Sequence, residues 1–369
     1  MEFSFLKIFL PLCLHVISSH STLLANEISP VVVMTWNFHK PAAKAWETLF
    51  VEKRSALDAI EESCNLCENN GTECYWLVGM GGCPDENGKT TLDALIMDGV
   101  TMNVGAVGAV KDIKNPISVA RKVMENTDHT LLVGESVTQF ALQMGFETQE
   151  LSTKNSTRQW KTWKENNCQP NFWRNVVPNP STSCGPYRLD DKKDMKQETS
   201  NKPLDSETNH DTMGVLALDV HGHIAAGVST NGLKYKIPGR LGDSPVPGAG
   251  TYADTNFGAA ACTGVGDISL RFLPSFVAVE EMKRGATPQE AAQTALDRMT
   301  KFYPKHSNAL ITMDKVGNYA VACHGFRLYN YRFPYYVANE KLGKATLMYK
   351  ACFNTSIYFL DHQGKFVYN

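Results

Sequence analysis

The sequence carries almost no net charge: 36 Lys and Arg stand against 38 Asp and Glu in 369 residues, a formal charge of -2. Without a basic field nothing holds a polyphosphate backbone, so nucleic acid is not an expected partner. Long apolar runs are scarce as well. Beyond the first segment no window reaches the roughly 18 consecutive apolar residues of a membrane span, so no membrane is expected either. Paired metal motifs are missing: Cys64-x-x-Cys67 has no second Cys-x-x-Cys, and His221 and His223 on a hairpin lack a third ligand. Neither a metal nor any other cofactor is expected. What the chain does have is 43% hydrophobic residues, enough for a sizeable core, which excludes a disordered chain or a minimal disulfide scaffold.

Residues 1–25 place Lys7 in an apolar stretch followed by Ser18, Ser19, Ser21 and Thr22, and read as a secretory signal peptide. Cleavage fits Ser19-His20-Ser21 and, less well, Leu24-Ala25. Three Asn-x-Ser/Thr triplets, at Asn70, Asn155 and Asn354, fit the same route. Ten cysteines, less Cys13 in the leader, leave an odd number, so at least one thiol is unpaired unless it bonds another chain. Short-loop disulfides such as Cys67 with Cys74 and Cys168 with Cys184 suit an oxidising compartment.

The first half alternates apolar strand-like runs (31–36, 75–78, 92–97, 104–110, 131–133) with helical patterns (41–51, 55–62, 116–124, 135–144). Periodicity vanishes from 148 to 210, and 190–210 is charged and apolar-poor, the composition of an exposed loop. Structure resumes at Thr212 with a hairpin, 213–220 and 224–229. Helices are predicted over 270–284 and 288–302, the second capped by Thr287, and strands over 309–314 and 319–323.

A polar loop ending against the first residue of a buried strand is either a plain connection or a processing site, here within His210-Asp211-Thr212. Were the bond before Thr212 cut, one residue would carry both a hydroxyl nucleophile and a free α-amine with a pKa of about 7.7 to 8.0, a suitable base near neutral pH.

Ordered motifs across nearly the whole mature chain strengthen this reading: Val33-Met34-Thr35-Trp36, Gly79-Met80-Gly81-Gly82-Cys83-Pro84-Asp85-Glu86, Thr91-Leu92-Asp93-Ala94, Leu131-Leu132-Val133-Gly134-Glu135-Ser136, His210-Asp211-Thr212, Ser229-Thr230-Asn231-Gly232, Gly239-Arg240-Leu241-Gly242-Asp243-Ser244-Pro245 and Thr263-Gly264-Val265-Gly266-Asp267. In these the chain resembles the glycosylasparaginase, or aspartylglucosaminidase, family of N-terminal nucleophile hydrolases. The resemblance implies an α+β fold, specifically a four-layer αββα sandwich. It also implies one precursor that cuts itself between Asp211 and Thr212 into an α chain (26–211) and a β chain (212–369), with His210 beside the cut. Thr212 would then attack the side-chain amide of an asparagine bearing N-acetylglucosamine. Thr230 would orient the nucleophile, Thr263 and Gly264 would form the oxyanion hole, and Gly266 would lie in the same loop. Arg240 and Asp243 would grip the substrate's α-carboxylate and α-amine, as charge pairing favours. Trp36 would sit at the pocket mouth. A dimer of α/β pairs and a lysosomal or secreted location, in glycoprotein breakdown, follow from the same resemblance.

Departures stand beside it. Cys83 replaces the family's serine, and a thiol is the weaker donor. Cys262 puts a second thiol near the pocket by sequence, and Cys323 lacks the family's helix partner, leaving Cys352 or no partner. Two rival readings are an asparaginase or isoaspartyl peptidase of the same superfamily and a secreted, non-catalytic, venom-like descendant that keeps the fold.

Overall fold

The computed structural model describes residues 28–69, 74, 77–190, 212–327, 330–352, 358–360 and 366–368. The leader 1–25, Asn70, Tyr75, the loop residues 191–210, His210, Asp211 and Asn354 lie outside the described residues. Along the first half run β1 (Val31–Thr35), α1 (His39–Trp46), which continues as a π turn over Glu47–Val51, α2 (Ala56–Glu68), β2 (Leu92–Asp98), β3 (Val104–Val110), α3 (Pro116–Asn126), β4 (Leu131–Val133), α4 (Glu135–Gln143), α5 (Lys154–Glu165), β5 (Val176–Val177) and β6 (Arg188–Leu189). The second half follows with β7 (Thr212–Leu218), β8 (Ile224–Thr230), β9 (Thr251–Asp254), β10 (Gly258–Gly264), α6 (Gly266–Phe272), α7 (Pro274–Lys283), α8 (Pro288–Thr300), β11 (Asn308–Asp314), β12 (Tyr319–His324), β13 (Arg332–Asn339), β14 (Thr346–Ala351), β15 (Tyr358–Leu360) and β16 (Phe366–Tyr368).

This is a mixed α+β fold with two main sheets, one of eight strands in the order β14-β13-β1-β7-β8-β2-β3-β4 and one of four in the order β12-β11-β10-β9. Strands β7 and β8 are buried at every residue, so they read as unbroken apolar runs rather than alternating ones. They lie against β9 and β10 of the smaller sheet, while α1, α2 and α3 pack on the strands of the larger one. The residues of β10 are small and alternate strictly. Ala259 and Ala261 join the core shared with the large sheet; Ala260 and Cys262 join the separate core beneath α7 and α8. Their size lets the two sheets approach closely where the site forms.

Three sequence expectations are corrected. Leu77 and Val78 lie in a turn, not a strand. The supposedly aperiodic stretch contains α5, a helix so polar that only Trp163 and Ser156 bury, yet closed at its start by a capping box between Thr153 and Ser156. The single helix over 270–284 is two helices, because Leu273 adopts a left-handed backbone (φ 51°) immediately before Pro274. Asn155 sits in the first turn of α5 with its amide nitrogen buried. Disulfides join Cys67 to Cys74, Cys168 to Cys184 and Cys323 to Cys352, while Cys64, Cys83 and Cys262 are outside any disulfide.

Candidate active site

Thr212 opens β7 and pairs in register with Thr230 at the end of β8, which in turn faces Asp93 on β2. Hairpin register thus brings two threonines 18 positions apart side by side, and the Thr212 hydroxyl donates to Thr230 Oγ1 at 3.3 Å. Thr230 Oγ1 is itself fixed by the Gly232 N–H at 2.9 Å. From β1, Thr35 donates to the Thr212 carbonyl at 2.9 Å and accepts from Gly214 N at 2.8 Å, so one hydroxyl ties the start of β7 to its neighbour strand.

The facing sheet supplies Thr263 from β10. Its hydroxyl oxygen accepts from Thr212 N at 3.2 Å and from Trp36 Nε1 at 3.0 Å. A hydroxyl has two lone pairs and one hydrogen. With both lone pairs engaged, that hydrogen remains available as a donor next to Thr212. Trp36 reaches this point by a left-handed backbone (φ 67°) directly after β1, and edge contacts with Phe326 and Phe333 hold its ring.

Thr212, Thr230, Gly232, Leu233, Arg240, Gly242, Asp243, Ser244, Gly264 and Gly266 line one narrow cleft. In it the Arg240 guanidinium is steadied by Asp267, through Nη2 at 2.7 Å and Nε at 3.2 Å. Asp243 is buried, and its Oδ2 has no hydrogen-bond partner. Burial pushes this carboxyl up to about 7, against the pull of Arg240, so the cleft holds an acid poised to ionise when a cation arrives. Gly266 is required by close approach: a Cβ there would stand 2.5 Å from Asp243 Oδ1 and 3.1 Å from Arg240 Nη2.

The sequence-predicted residues Trp36, Thr212, Thr230, Arg240, Asp243, Thr263, Gly264 and Gly266 therefore converge on one place. Cys83 is buried, and it is not among the residues lining the cleft. Strand alternation puts the Cys262 thiol on the face of β10 opposite the Thr263 hydroxyl, 3.3 Å from Ser269 Oγ beneath the helices and 3.8 Å from the Thr263 carbonyl. Sequence reasoning missed the structural roles of Asp267, Thr35 and Lys236. The last is a fully buried ammonium that donates to the Asn231 carbonyl at 2.8 Å, and nothing in Lys234-Tyr235-Lys236 distinguishes it from a surface lysine.

Glu68 was missed too. At the end of α2 it accepts from Ser229 Oγ at 2.6 Å and Ile117 N at 3.3 Å, and thus braces β8 beside Thr230. Burial pushes its carboxyl from 4.5 up to about 8. A folded-state value above the unfolded one means that its contribution to stability is full below about 4.5 and is lost as pH rises through about 8. Glu68→Gln is expected to flatten the dependence of Tm on pH across that window, as thermal melts at stepped pH will show; an unchanged slope refutes the assignment.

A hydroxyl at a strand end, the nitrogen of its own residue alongside, and a second hydroxyl aimed at the same point are the parts of a threonine-nucleophile hydrolase. Comparison with known proteins narrows the class. The family model described as Asparaginase matches residues 12–337. The chain is 51% identical to the N(4)-(β-N-acetylglucosaminyl)-L-asparaginase of Rattus norvegicus over 311 residues, 84% of this chain and 88% of the rat protein. It is 50% identical to the mouse enzyme of the same name (84% and 88%) and 47% identical to a putative one of Drosophila melanogaster (85% and 80%). The chain belongs to the asparaginase family of threonine-nucleophile hydrolases.

Proposed function

We propose that this protein hydrolyses the amide bond between N-acetylglucosamine and the side chain of a free asparagine, after cutting itself before Thr212. What carries the reading is that Thr212, hydrogen-bonded to Thr263, lines one cleft with Arg240 and Asp243. In self-cleavage the Thr212 hydroxyl adds to the Asp211 carbonyl carbon, the peptide C–N bond breaks, and the hydroxyl proton passes to the freed nitrogen. Water then hydrolyses the ester, leaving an Asp211 carboxylate and a Thr212 with a free α-amine. In turnover that amine takes the hydroxyl proton as Oγ attacks the substrate's amide carbon, and Thr263 O–H and Gly264 N–H receive the oxyanion. The glycosylamine departs with a proton, and water releases aspartate. Trp36 holds Thr263 in place at the pocket mouth.

Arg240 would pair with the α-carboxylate and Asp243 with the α-ammonium, which restricts the substrate to an asparagine with both ends free. The layering of helices on two stacked sheets supports an αββα arrangement of the N-terminal nucleophile type. Three disulfides suit an oxidising compartment, lysosomal or extracellular. No helix among the described residues is long and apolar enough to cross a membrane. A dimer of α/β pairs is the proposed assembly.

The discriminating experiment measures kcat/KM on glycosylasparagine, free asparagine and β-aspartyl dipeptides. Preference for the first supports the proposal; preference for either of the others assigns an asparaginase or isoaspartyl peptidase, and no turnover on any assigns a non-catalytic descendant. A pH effect follows from Asp243. The empty site's carboxyl is half-protonated near 7, whereas binding an ammonium demands the carboxylate. The inhibition constant of aspartate is therefore expected to rise as pH falls below about 7, approaching tenfold per unit. Asp243→Asn should weaken inhibition and remove that slope; a wild-type constant flat between pH 5 and 8 contradicts the role.

A further inference from the structure

Behind the segment Thr263–Gly264–Val265 lies a buried polar cluster that the reaction above does not use. Asn308 begins β11 opposite Gly264 in antiparallel register. A Cβ on Gly264 would run into the Ser307 carbonyl and stand 2.7 Å from Asn308 Cα, so this stretch of backbone rests directly on Asn308. The surrounding donors and acceptors assign the Asn308 amide. Its Oδ1 accepts from Val265 N at 3.1 Å, an N–H shared with the Ser307 carbonyl at 3.1 Å, and from Ser269 Oγ at 2.8 Å; its Nδ2 donates to the Ser307 carbonyl at 3.1 Å and to His306 Nδ1 at 2.7 Å. Turned over, the amide would set Nδ2 against the Val265 N–H, donor to donor, and Oδ1 against a His306 Nδ1 that could bond it only with a proton in place.

His306 decides between the two. The Thr300 hydroxyl gives its one hydrogen to the Leu296 carbonyl at 3.1 Å, so it accepts from His306 Nε2 at 3.0 Å and leaves Nδ1 as the ring's acceptor. Facing the ring are His324 of β12, stacked at 4.7 Å and donating to the Pro304 carbonyl, and, acting on His324, Asp297 of α8; Cys262 lies across Asn308. Burial, then His324, pushes His306 down to about 3.

We propose that Asn308 is a positioning residue for the oxyanion-binding segment, kept in its working orientation by the unprotonated Nδ1 of His306. The inference rests on the role proposed above for Thr263 and Gly264. An added proton on His306 would turn the amide, withdraw one of the two acceptors of Val265 N–H, leaving it the Ser307 carbonyl, and bring Nδ2 to the Thr263 carbonyl at 3.4 Å.

The test compares Asn308→Ala, Asn308→Asp and Thr263→Ala with wild type on glycosylasparagine across pH, with kcat expressed per mole of chain that begins at Thr212. Asn308→Ala should lower kcat about tenfold, the scale of a small misplacement of catalytic groups, with KM within about twofold because Arg240 and Asp243 are untouched. Asn308→Asp keeps an acceptor for Val265 N–H and should recover most of kcat. Its second oxygen, however, now wants a proton on His306, so its kcat should show a titration that wild type lacks. Wild-type kcat in Asn308→Ala, a loss confined to KM, or an Asn308→Asp profile parallel to wild type would each overturn the inference. If Asn308→Ala does not fold, the Asn308→Asp profile alone decides. Wild-type kcat in Thr263→Ala would instead remove the oxyanion reading, and the inference with it.

Discussion

Thr212→Ala is expected to yield one uncut chain with hydrolysis at background, because a single substitution removes the group that starts both reactions. The two functional atoms of Thr212 each have a hydroxyl neighbour: Thr230 Oγ1 lies 3.3 Å from the hydroxyl and Thr263 Oγ1 lies 3.2 Å from the nitrogen, while Thr35 holds the carbonyl. Alanine keeps the backbone N–H and its register with Thr230, so β7 should pair as before and the melting temperature should move by only a few degrees. A denaturing gel and an activity assay on the same preparation check this. Two fragments divided before residue 212, or turnover above background, would contradict it. Thr212→Ser offers the converse, since its hydroxyl is retained: cutting and measurable turnover should persist.

Thr263→Ala should be the next most damaging change. It removes a donor aimed at the developing oxyanion, a loss that typically costs about 10² to 10³ in kcat, or about 2.7–4 kcal/mol. Here it also leaves two donors, Trp36 Nε1 and Thr212 N, without their shared acceptor. KM should change little, because the cleft's charged pair lies elsewhere. Thr263→Ser keeps the hydroxyl and should recover most of the rate, whereas Thr263→Val matches the shape without the hydroxyl and should not. Steady-state kinetics on the cut form of each variant separates the outcomes; a valine variant as fast as serine would show that the hydroxyl is not used.

The proposed nucleophile was legible through the ordered family motifs; the abrupt end of a charged, apolar-poor loop at a buried strand drew attention to Thr212 but did not by itself separate it from an ordinary strand residue. Thr230 came from the same resemblance, and the hairpin register shows why it lies beside Thr212. The charged pair was legible only as a motif: that Arg240 leans on Asp267, 27 residues on, and that Asp243 is left with a bare buried oxygen, depends on how the loop folds over α6. Helix α5 escaped notice because its buried face is two residues wide, too narrow to set up a period. The break at Leu273 was signalled by Pro274, but amphipathic sequence on both sides hid it. Lys236, Glu68 and Asn308 illustrate the deeper limit. Charged and polar side chains in the interior look like surface residues until the partners that justify their burial are known.

The central claim is that Thr212, once at a chain terminus, carries the acyl group. Acid quenching of the enzyme during turnover of glycosylasparagine, followed by peptide mass mapping, tests it directly. The account predicts a peptide that begins at Thr212 and bears one aspartyl group as an ester on Oγ, disappearing when substrate is exhausted. Sustained turnover with residue 212 still joined to residue 211, or with the aspartyl group on another side chain, would contradict it.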